Sequence, residues 1–324
     1  MTVTAARRAV SPAARPAVGP AVSLPPLLAG TPAAWLATHL EGHLARHETE
    51  PVDAAERTWV QAPAVLADDA AFLRAAHRRI LADDGGTAQM AAKWLVGWTA
   101  GTVADAVGFV LATGGAGVLA DTAPLRWRLH PDGWVDRVSL DGCRVLVAPG
   151  HPWAGRDDVE VVADEAELVA RTVDSLVRAV RPVVDALRGV ARVGARSLWA
   201  EVADGIGMSP TYQPDLPVRD DVVARLRAAL TAPGAPWRVS PTVRTASAPW
   251  GPVYLGQKGG CCLAYQRPQP DVVLPDEAEL SDELREYYAR FPPETGAKRV
   301  CTTCSLRDPQ GCADRQLWWL GQNR

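Results

Sequence analysis

The spacing of hydrophobic residues predicts one long amphipathic helix in the middle of the chain. Apolar side chains recur every three or four positions, the period of one helix face, at Val169, Val173, Leu176, Val180, Val183 and Leu187. Asp164, with Glu167 three residues later, is a typical helix start. Pro182 lies inside this pattern and is expected to kink the helix.

Other helices are predicted from apolar runs and their end signals. The predicted helices are 31–47, 52–82, 197–206 and 219–231, together with a Trp-rich run. Thr31-Pro32 is the start signal of the first helix. The Trp-rich run begins after Thr87 and ends at Gly114-Gly115. Residues 281–290 are predicted to form a short acidic helix.

The Trp-rich run contains 18 mostly apolar residues, Trp94 to Leu111, and so requires a comparison with a membrane span. Asp105 lies well inside it, and a charged residue at a bilayer centre costs roughly 2.5–3.5 kcal/mol. We therefore expect a buried helix and no transmembrane span.

The apolar period changes to that of short strands after the Trp-rich run. Strands are predicted at 125–129, 134–140 and 143–147, with turns at Pro131-Asp132-Gly133 and Asp141-Gly142. This order predicts a short antiparallel β-meander. The expected fold class is therefore α+β and mostly helical, with a small cysteine-rich module at the C-terminal end.

Proline-rich stretches suggest how the chain is divided. Residues 1–30 are rich in Ala and Pro and predict a disordered tail. Residues 31–244 are expected to form a helical α+β domain facing the substrate, and residues 245–324 the C-terminal module. The proline-rich stretches 207–218 and 232–252 are interpreted as connectors.

Composition and charge narrow the functional classes. The 324 residues are 48% hydrophobic and 22% charged, as in soluble globular proteins. A net charge of −3 gives no electrostatic reason to expect nucleic-acid binding. Six cysteines are too few for a disulfide scaffold of this length, and no apolar export segment follows Arg7 and Arg8. A cytoplasmic location is expected.

The cysteines are concentrated near the end of the chain. Five of the six lie within 52 residues, at Cys261, Cys262, Cys301, Cys304 and Cys312. A core that used cysteine as a small apolar residue would scatter it, so this clustering indicates a metal centre. A Cys-x-x-Cys pair alone is compatible with zinc, iron or thiol redox exchange. Gly259-Gly260, directly before the adjacent pair, is expected to give the backbone freedom for a sharp turn.

The run Lys258-Gly259-Gly260-Cys261-Cys262-Leu263-Ala264-Tyr265, followed by Cys301-Thr302-Thr303-Cys304, resembles the C-terminal signature of FhuF-type ferric siderophore reductases. The segment from Ser197-Leu198-Trp199 to Asp204 also resembles a Leu-Trp helix of that family. The resemblance implies a [2Fe-2S] cluster bound by Cys261, Cys262, Cys301 and Cys304. It covers about 50 C-terminal residues with specificity and the remainder weakly.

One feature departs from the family pattern. Residues 263–300, a stretch of 38, separate Cys262 from Cys301, where the family has a much shorter gap. Loop-closure entropy grows slowly with length, so an ordered insertion is tolerable. Cys312 remains an alternative ligand.

The resemblance implies a cytoplasmic reductase that passes one electron to an Fe(III)-siderophore and releases Fe(II). The implied partners are a ferric siderophore, with the hydroxamate type favoured, and an unidentified electron donor; peripheral association with a membrane stays open. The alternatives are a non-enzymatic iron–sulfur electron-transfer or sensor protein, and a zinc-stapled binding protein. Lys258, Arg299 and Arg307 lie near the ligands in sequence, where they either favour the reduced cluster or are ordinary surface cations.

The other candidate residues have simpler interpretations. His39, His43 and His47 share one face of a predicted helix, which we interpret as a solvated face rather than a metal site. The tryptophan pairs Trp94 with Trp98 and Trp318 with Trp319 are expected to pack in the core rather than to form an aromatic wall for a siderophore. Cys143 is expected to be a buried thiol. No nucleophile, general base or catalytic triad is expected.

Overall fold

The computed structural model describes residues 58–129, 135–212, 216–263, 266, 282–291 and 303–322. The expected tail at 1–30, the helix at 31–47 with His39, His43 and His47, the turn at 131–133 and the ligand Cys301 lie outside the described residues.

Helices make up most of the described chain. In chain order the elements are β1 (Thr58–Gln61), α1 (Ala62–Asp83), α2 (Ala88–Gly114), β2 (Ala116–Leu119), β3 (Arg126–Leu129), β4 (Val135–Ser139), β5 (Arg144–Val147), β6 (Val159–Val161), α3 (Glu165–Ala191), α4 (Ala195–Met208), α5 (Asp220–Leu230), β7 (Thr242–Ala248), β8 (Gly251–Gln257), α6 (Asp282–Arg290) and α7 (Pro309–Gln322). A 3₁₀ turn, Ser209–Tyr212, follows α4. Mixed helix and strand with short sheets confirm the α+β class.

Helix α2 is the central core element, as its composition predicts. Thr87 is its N-cap and accepts a hydrogen bond from the Met90 amide, and Gly115 ends it in the left-handed conformation at φ 64°. Its most apolar 18-residue window has a mean hydropathy of 1.5, and 78% of that window is buried inside the protein. By length and composition it is able to cross a membrane, but this degree of burial is typical of a core helix.

Helix α2 contains two π-helical turns, one inside it at Gly97–Gly101 and one at its end at Val110–Gly114. The Thr99 carbonyl, inside the first of these turns, accepts a hydrogen bond from the Thr102 amide. The fully buried Trp127 of β3 is a second donor to this carbonyl, with its indole nitrogen 3.2 Å from the oxygen. This bond joins the sheet β1-β3-β4 to the centre of α2.

Helix α3 confirms the periodic prediction. All six residues of the predicted face are buried, and the Asp164 carboxylate accepts a hydrogen bond from the Glu167 amide at 2.8 Å. The helix runs from Glu165 to Ala191 with Pro182 inside it. Helices α4 and α5 also occupy the predicted positions.

The β-structure differs from the predicted meander. Strands β3 and β4 pair antiparallel, as expected, and β1 joins them as β1-β3-β4. Strand β5 instead pairs antiparallel with β2, and β6 is parallel to β5. The turn at Asp141-Gly142 therefore carries the chain from one sheet to another and does not close a hairpin.

Two further predictions are corrected. Residues 58–61 form an edge strand rather than part of a helix, because they pair with β3. The stretch 232–252, interpreted as a connector, contains β7 and the beginning of β8. These two strands form a hairpin, and Val253 and Leu255 of β8 pack with Ala313 and Leu320 of α7 in a small second core.

Candidate functional site

The loop that carries Cys261 and Cys262 follows β8 directly and packs against α4. Both oxygens of Asp204 accept backbone hydrogen bonds from it: Oδ1 from the Gly259 amide at 2.8 Å and Oδ2 from the Gly260 amide at 3.2 Å. Asp204 is 3% exposed. The indole N–H of Trp94 on α2 donates to the Cys262 carbonyl at 3.1 Å. Two core helices thus hold the loop through hydrogen bonds.

The two glycines of this loop lie at a bend and are also required for close packing, which the sequence did not indicate. Neither has a positive φ. A Cβ added to Gly259 would lie 2.4 Å from the carbonyl carbon and oxygen of Ser240. A Cβ added to Gly260 would lie 2.9 Å from the Ala200 Cβ and 3.3 Å from Oδ2 of Asp204. Glycine therefore allows the loop to approach α4.

The segment that carries Cys304 lies against the end of β8. The Lys258 amide donates to the Thr303 carbonyl at 2.9 Å, which joins this segment directly to the Cys261 loop. The Gln257 side chain donates to the carbonyls of Cys304, at 3.0 Å, and Arg307, at 2.7 Å. Residues distant in sequence are therefore adjacent at the end of one strand.

The thiols of Cys261 and Cys304 meet at this junction. Burial, electrostatic interaction with Cys304 and Cys262, and a side-chain hydrogen bond to Cys304 together raise the pKa of the Cys261 thiol to about 11, against the lowering effect of the Leu263 amide. Cys261 and Cys304 are two of the four cysteines expected as ligands. None of the described cysteines is in a disulfide.

Two sulfurs accept backbone hydrogen bonds from the residue two positions later. The Leu263 amide donates to Sγ of Cys261 and the Leu306 amide to Sγ of Cys304, each at 3.4 Å. Leu263 has a positive φ of 62°, so the chain turns sharply after the adjacent cysteines. N–H donors aimed at sulfur stabilise the thiolate, the form that binds metals.

The donor chemistry fits a thiolate-bound metal group such as a [2Fe-2S] cluster or zinc. The described residues alone do not complete a site, because they contain no group of three His, Cys, Asp or Glu side chains arranged to hold a metal ion. The remaining expected ligand, Cys301, lies outside them. Cys304 is buried, whereas Cys261 and Cys262 are partly exposed.

Cys312 has other hydrogen-bond partners. It lies on α7, where the side-chain nitrogen of Gln316 donates to its Sγ at 3.0 Å and to the Gly256 carbonyl at 2.7 Å. The Gly256 amide donates in turn to Oε1 of Gln316 at 3.0 Å. These contacts give Cys312 a structural role in packing α7 on β8. Cys143 is partly rather than fully buried, and burial raises its pKa to about 11.

A buried ion pair lies beside the Cys261 loop and was not anticipated from the sequence. Nζ of Lys93, on α2, is 2.9 Å from Oε1 of Glu201, on α4, without the alignment of a hydrogen bond. Lys93 also donates to the Ser197 carbonyl at 3.2 Å. The available signal was a lysine inside an apolar helix, in a chain with only three lysines.

Asp204 is electrostatically unusual. Burial and the nearby Glu201 raise its pKa to about 7, against the lowering effects of Lys258 and the two glycine amides. The sequence placed Asp204 at the end of a helix segment but gave no role for its carboxylate.

The aromatic candidates have different surroundings. Trp94 and Trp98 are partly buried on α2, with ring centroids 6.1 Å apart, and pack against the main core. Trp318 packs on Tyr287 of α6, at 4.7 Å between centroids, whereas Trp319 is 39% exposed.

No protein-family model, no curated protein and no solved structure matches this chain.

Proposed function

We propose that this protein is a cytoplasmic ferric siderophore reductase whose C-terminal cysteines bind a [2Fe-2S] cluster. The observation that supports the proposal most is the junction at the end of β8, where the Cys261 and Cys304 thiols meet and their sulfurs accept backbone N–H bonds. Cys262 lies next to this pair, and Cys301 precedes Cys304 by three residues. The family resemblance supplies the cluster type and the reaction.

When bound, a [2Fe-2S] cluster supplies a carrier of single electrons. In the proposed reaction one electron passes to Fe(III) held by oxygen donors, which releases Fe(II) and the intact chelator. A separate one-electron donor then restores the reduced protein. Fe(II) has lower charge and binds hard oxygen ligands more weakly, so this reaction requires no bond cleavage in the chelator.

The protein's own residues favour electron exit on one side. Cys304 is 2% exposed, whereas Cys261 and Cys262 are partly exposed, so the ferric chelate is expected to approach from the Cys261–Cys262 side. The amides of Leu263 and Leu306 reduce the electron density on the sulfurs and so favour the reduced form. No nucleophile or general base is needed for the transfer.

The first experiment determines the metal. Anaerobically purified full-length protein should be coloured and contain two iron atoms and two acid-labile sulfides per chain, as the [2Fe-2S] formula requires. Colourless protein that contains zinc would refute the proposal in favour of a zinc-stapled binding protein.

The second experiment tests the reaction. Reduced protein mixed with a ferric hydroxamate should reoxidise and yield Fe(II), measured with a ferrous-specific chelator. A cluster that forms but yields no Fe(II) would support the electron-transfer or sensor alternative.

Cysteine variants test the ligand assignment. Cys262→Ser should lose the cluster colour, because a serine hydroxyl is a poor replacement for a thiolate ligand. Cys143→Ser makes the same chemical change outside the junction and should keep the colour, as should Cys312→Ser. Loss of colour in Cys312→Ser with retention in Cys262→Ser would reverse the assignment.

A further inference from the structure

Two polar side chains hold the cysteine-bearing segments, one on each side of the junction. Asp204 hydrogen-bonds to the segment that precedes Cys261, and Gln257 to the segment that begins at Cys304. Neither side chain is among the expected ligands. Each is on a regular element packed into the fold, Asp204 on α4 and Gln257 at the end of β8.

Asp204 fixes two successive peptide groups. Its two oxygens bind the amides of Gly259 and Gly260 separately, at 2.8 and 3.2 Å, so both peptide planes face the same carboxylate. The next residue is Cys261. The carboxylate is held on a buried face of α4, and the Gly260 backbone packs on Ala200 of the same helix. The direction in which the chain leaves Gly260 is therefore determined by α4.

Gln257 fixes the other segment in a similar way. Its amide nitrogen donates to the carbonyls of Cys304 and Arg307, at 3.0 and 2.7 Å, on either side of a turn that is closed by the Arg307 amide and the Cys304 carbonyl at 3.1 Å. The neighbouring Lys258 amide donates to Thr303. The Cys304 turn is thus held by the strand that leads into the Cys261 loop.

We propose that Asp204 and Gln257 are positioning residues that hold the Cys261 loop and the Cys304 turn next to each other before any metal binds. The inference rests on the proposed function only in taking these cysteines as metal ligands. Residues that orient ligands from outside the coordination sphere change metal affinity by about 10–100-fold when they are replaced. A segment that is ordered in advance also loses less conformational entropy when metal binds.

The test uses reduced, metal-free, full-length protein titrated with Co²⁺ alone against a competing chelator. Sulfur-to-cobalt charge-transfer absorption reports the number of bound thiolates, so affinity and coordination are read from one spectrum. Asp204→Ala removes both acceptors and should weaken binding about 10–100-fold. Asp204→Asn retains one oxygen acceptor and should fall between Asp204→Ala and the wild type. Gln257→Leu removes the donor at similar volume and should weaken binding about 10–100-fold.

The matched control is Asp185→Ala. Asp185 is exposed on α3, and its replacement should leave Co²⁺ affinity unchanged. Each variant is compared at a temperature at which circular dichroism shows it folded. If Asp204→Ala does not fold, Asp204→Asn and Gln257→Leu still test the proposal.

Co²⁺ affinity within twofold of wild type in folded Asp204 and Gln257 variants would overturn the inference, even if their stability falls. Absence of Co²⁺ binding by the wild-type chain would also overturn it, because a pre-ordered site binds this ion. Failure of the wild type to reduce a ferric hydroxamate refutes the proposed reaction but leaves the Co²⁺ result unaffected. The two failures are therefore distinguishable.

Discussion

Replacing Gly259 by alanine should destabilise the Cys261 loop by a predictable amount. The added Cβ would lie 2.4 Å from the carbonyl carbon and oxygen of Ser240 and 2.9 Å from its nitrogen. Non-bonded carbon atoms prefer separations of about 3.5–4.0 Å, so the loop must move by roughly 1 Å. The main chain of Ser240 cannot rotate away as a side chain can.

That movement has two costs. Overpacking strain in such sites is typically about 1–3 kcal/mol. Moving the Gly259 amide by roughly 1 Å also breaks its 2.8 Å bond to Asp204, and a buried polar group left without a partner costs about 1–3 kcal/mol. The two effects share one displacement and are not fully additive. We expect Gly259→Ala to lower the free energy of unfolding by about 2–4 kcal/mol.

Urea denaturation of the metal-free protein measures this loss, and iron per chain measures its effect on the site. Gly189→Ala is the control: Gly189 is in α3, and nothing lies within 4 Å of the position that an added Cβ would occupy. That change should stabilise the protein by roughly 0.5–1 kcal/mol, because alanine favours a helix. If Gly259→Ala unfolds with the wild-type midpoint and binds full iron, the close packing described for Gly259 is wrong.

Three further outcomes follow from buried groups outside the cysteines. Lys93→Met should cost about 3–5 kcal/mol in urea denaturation because it leaves Glu201 buried without its cation, and an unchanged midpoint would contradict this pairing. Trp127→Phe should cost about 0.5–1.5 kcal/mol by removing one of the two donors to the Thr99 carbonyl, with reduced amide-exchange protection in α2 as a second measure; unchanged protection and stability would argue against that bond. Because the pKa of Asp204 is raised from 3.8 to about 7, the folded protein holds a proton that the unfolded chain releases. Stability of the metal-free protein should therefore decrease as pH rises from about 4 to about 7, by on the order of 4 kcal/mol. Asp204→Asn should flatten that dependence, and an equally steep profile in the variant would assign it to another group.

Sequence reasoning succeeded where a local pattern determines the element. Thr87 and Gly115 mark the ends of α2, and Asp164 marks the start of α3, because caps satisfy backbone groups within one turn. The six buried positions of α3 follow from helical period alone.

Sequence reasoning failed where the pairing of strands depends on residues distant in sequence. Strand β2 is four residues long and buried throughout, so it lacks the alternation that marks a half-buried strand. Its pairing with β5 was therefore not foreseen. The hairpin β7–β8 was missed because Pro249 and Pro252 favour a connector. Pro252 is tolerated because, among the described residues, this sheet has two strands and both are edges.

In the candidate site, too, local features could be predicted from the sequence and contacts between distant residues could not. The cysteines are visible as a local cluster and a family-like motif. Asp204 precedes Gly259 by 55 residues, and nothing local connects its carboxylate with that amide. The sequence predicts that the glycine pair gives the backbone freedom to turn; the structure adds that the missing side chains allow close packing against Ser240 and α4.

The direct bond between Lys258 and Thr303 has a consequence for how this protein tolerates change in length. Residues 263–300 join two segments that are already held together by this bond. The length of that stretch therefore does not set the distance between the cysteines on either side of it. Insertions or deletions within it are expected to change closure entropy only slowly. Outside α6, which packs on α7 through Tyr287, it is therefore a natural place to graft a reporter sequence or an affinity tag without moving the cysteine junction.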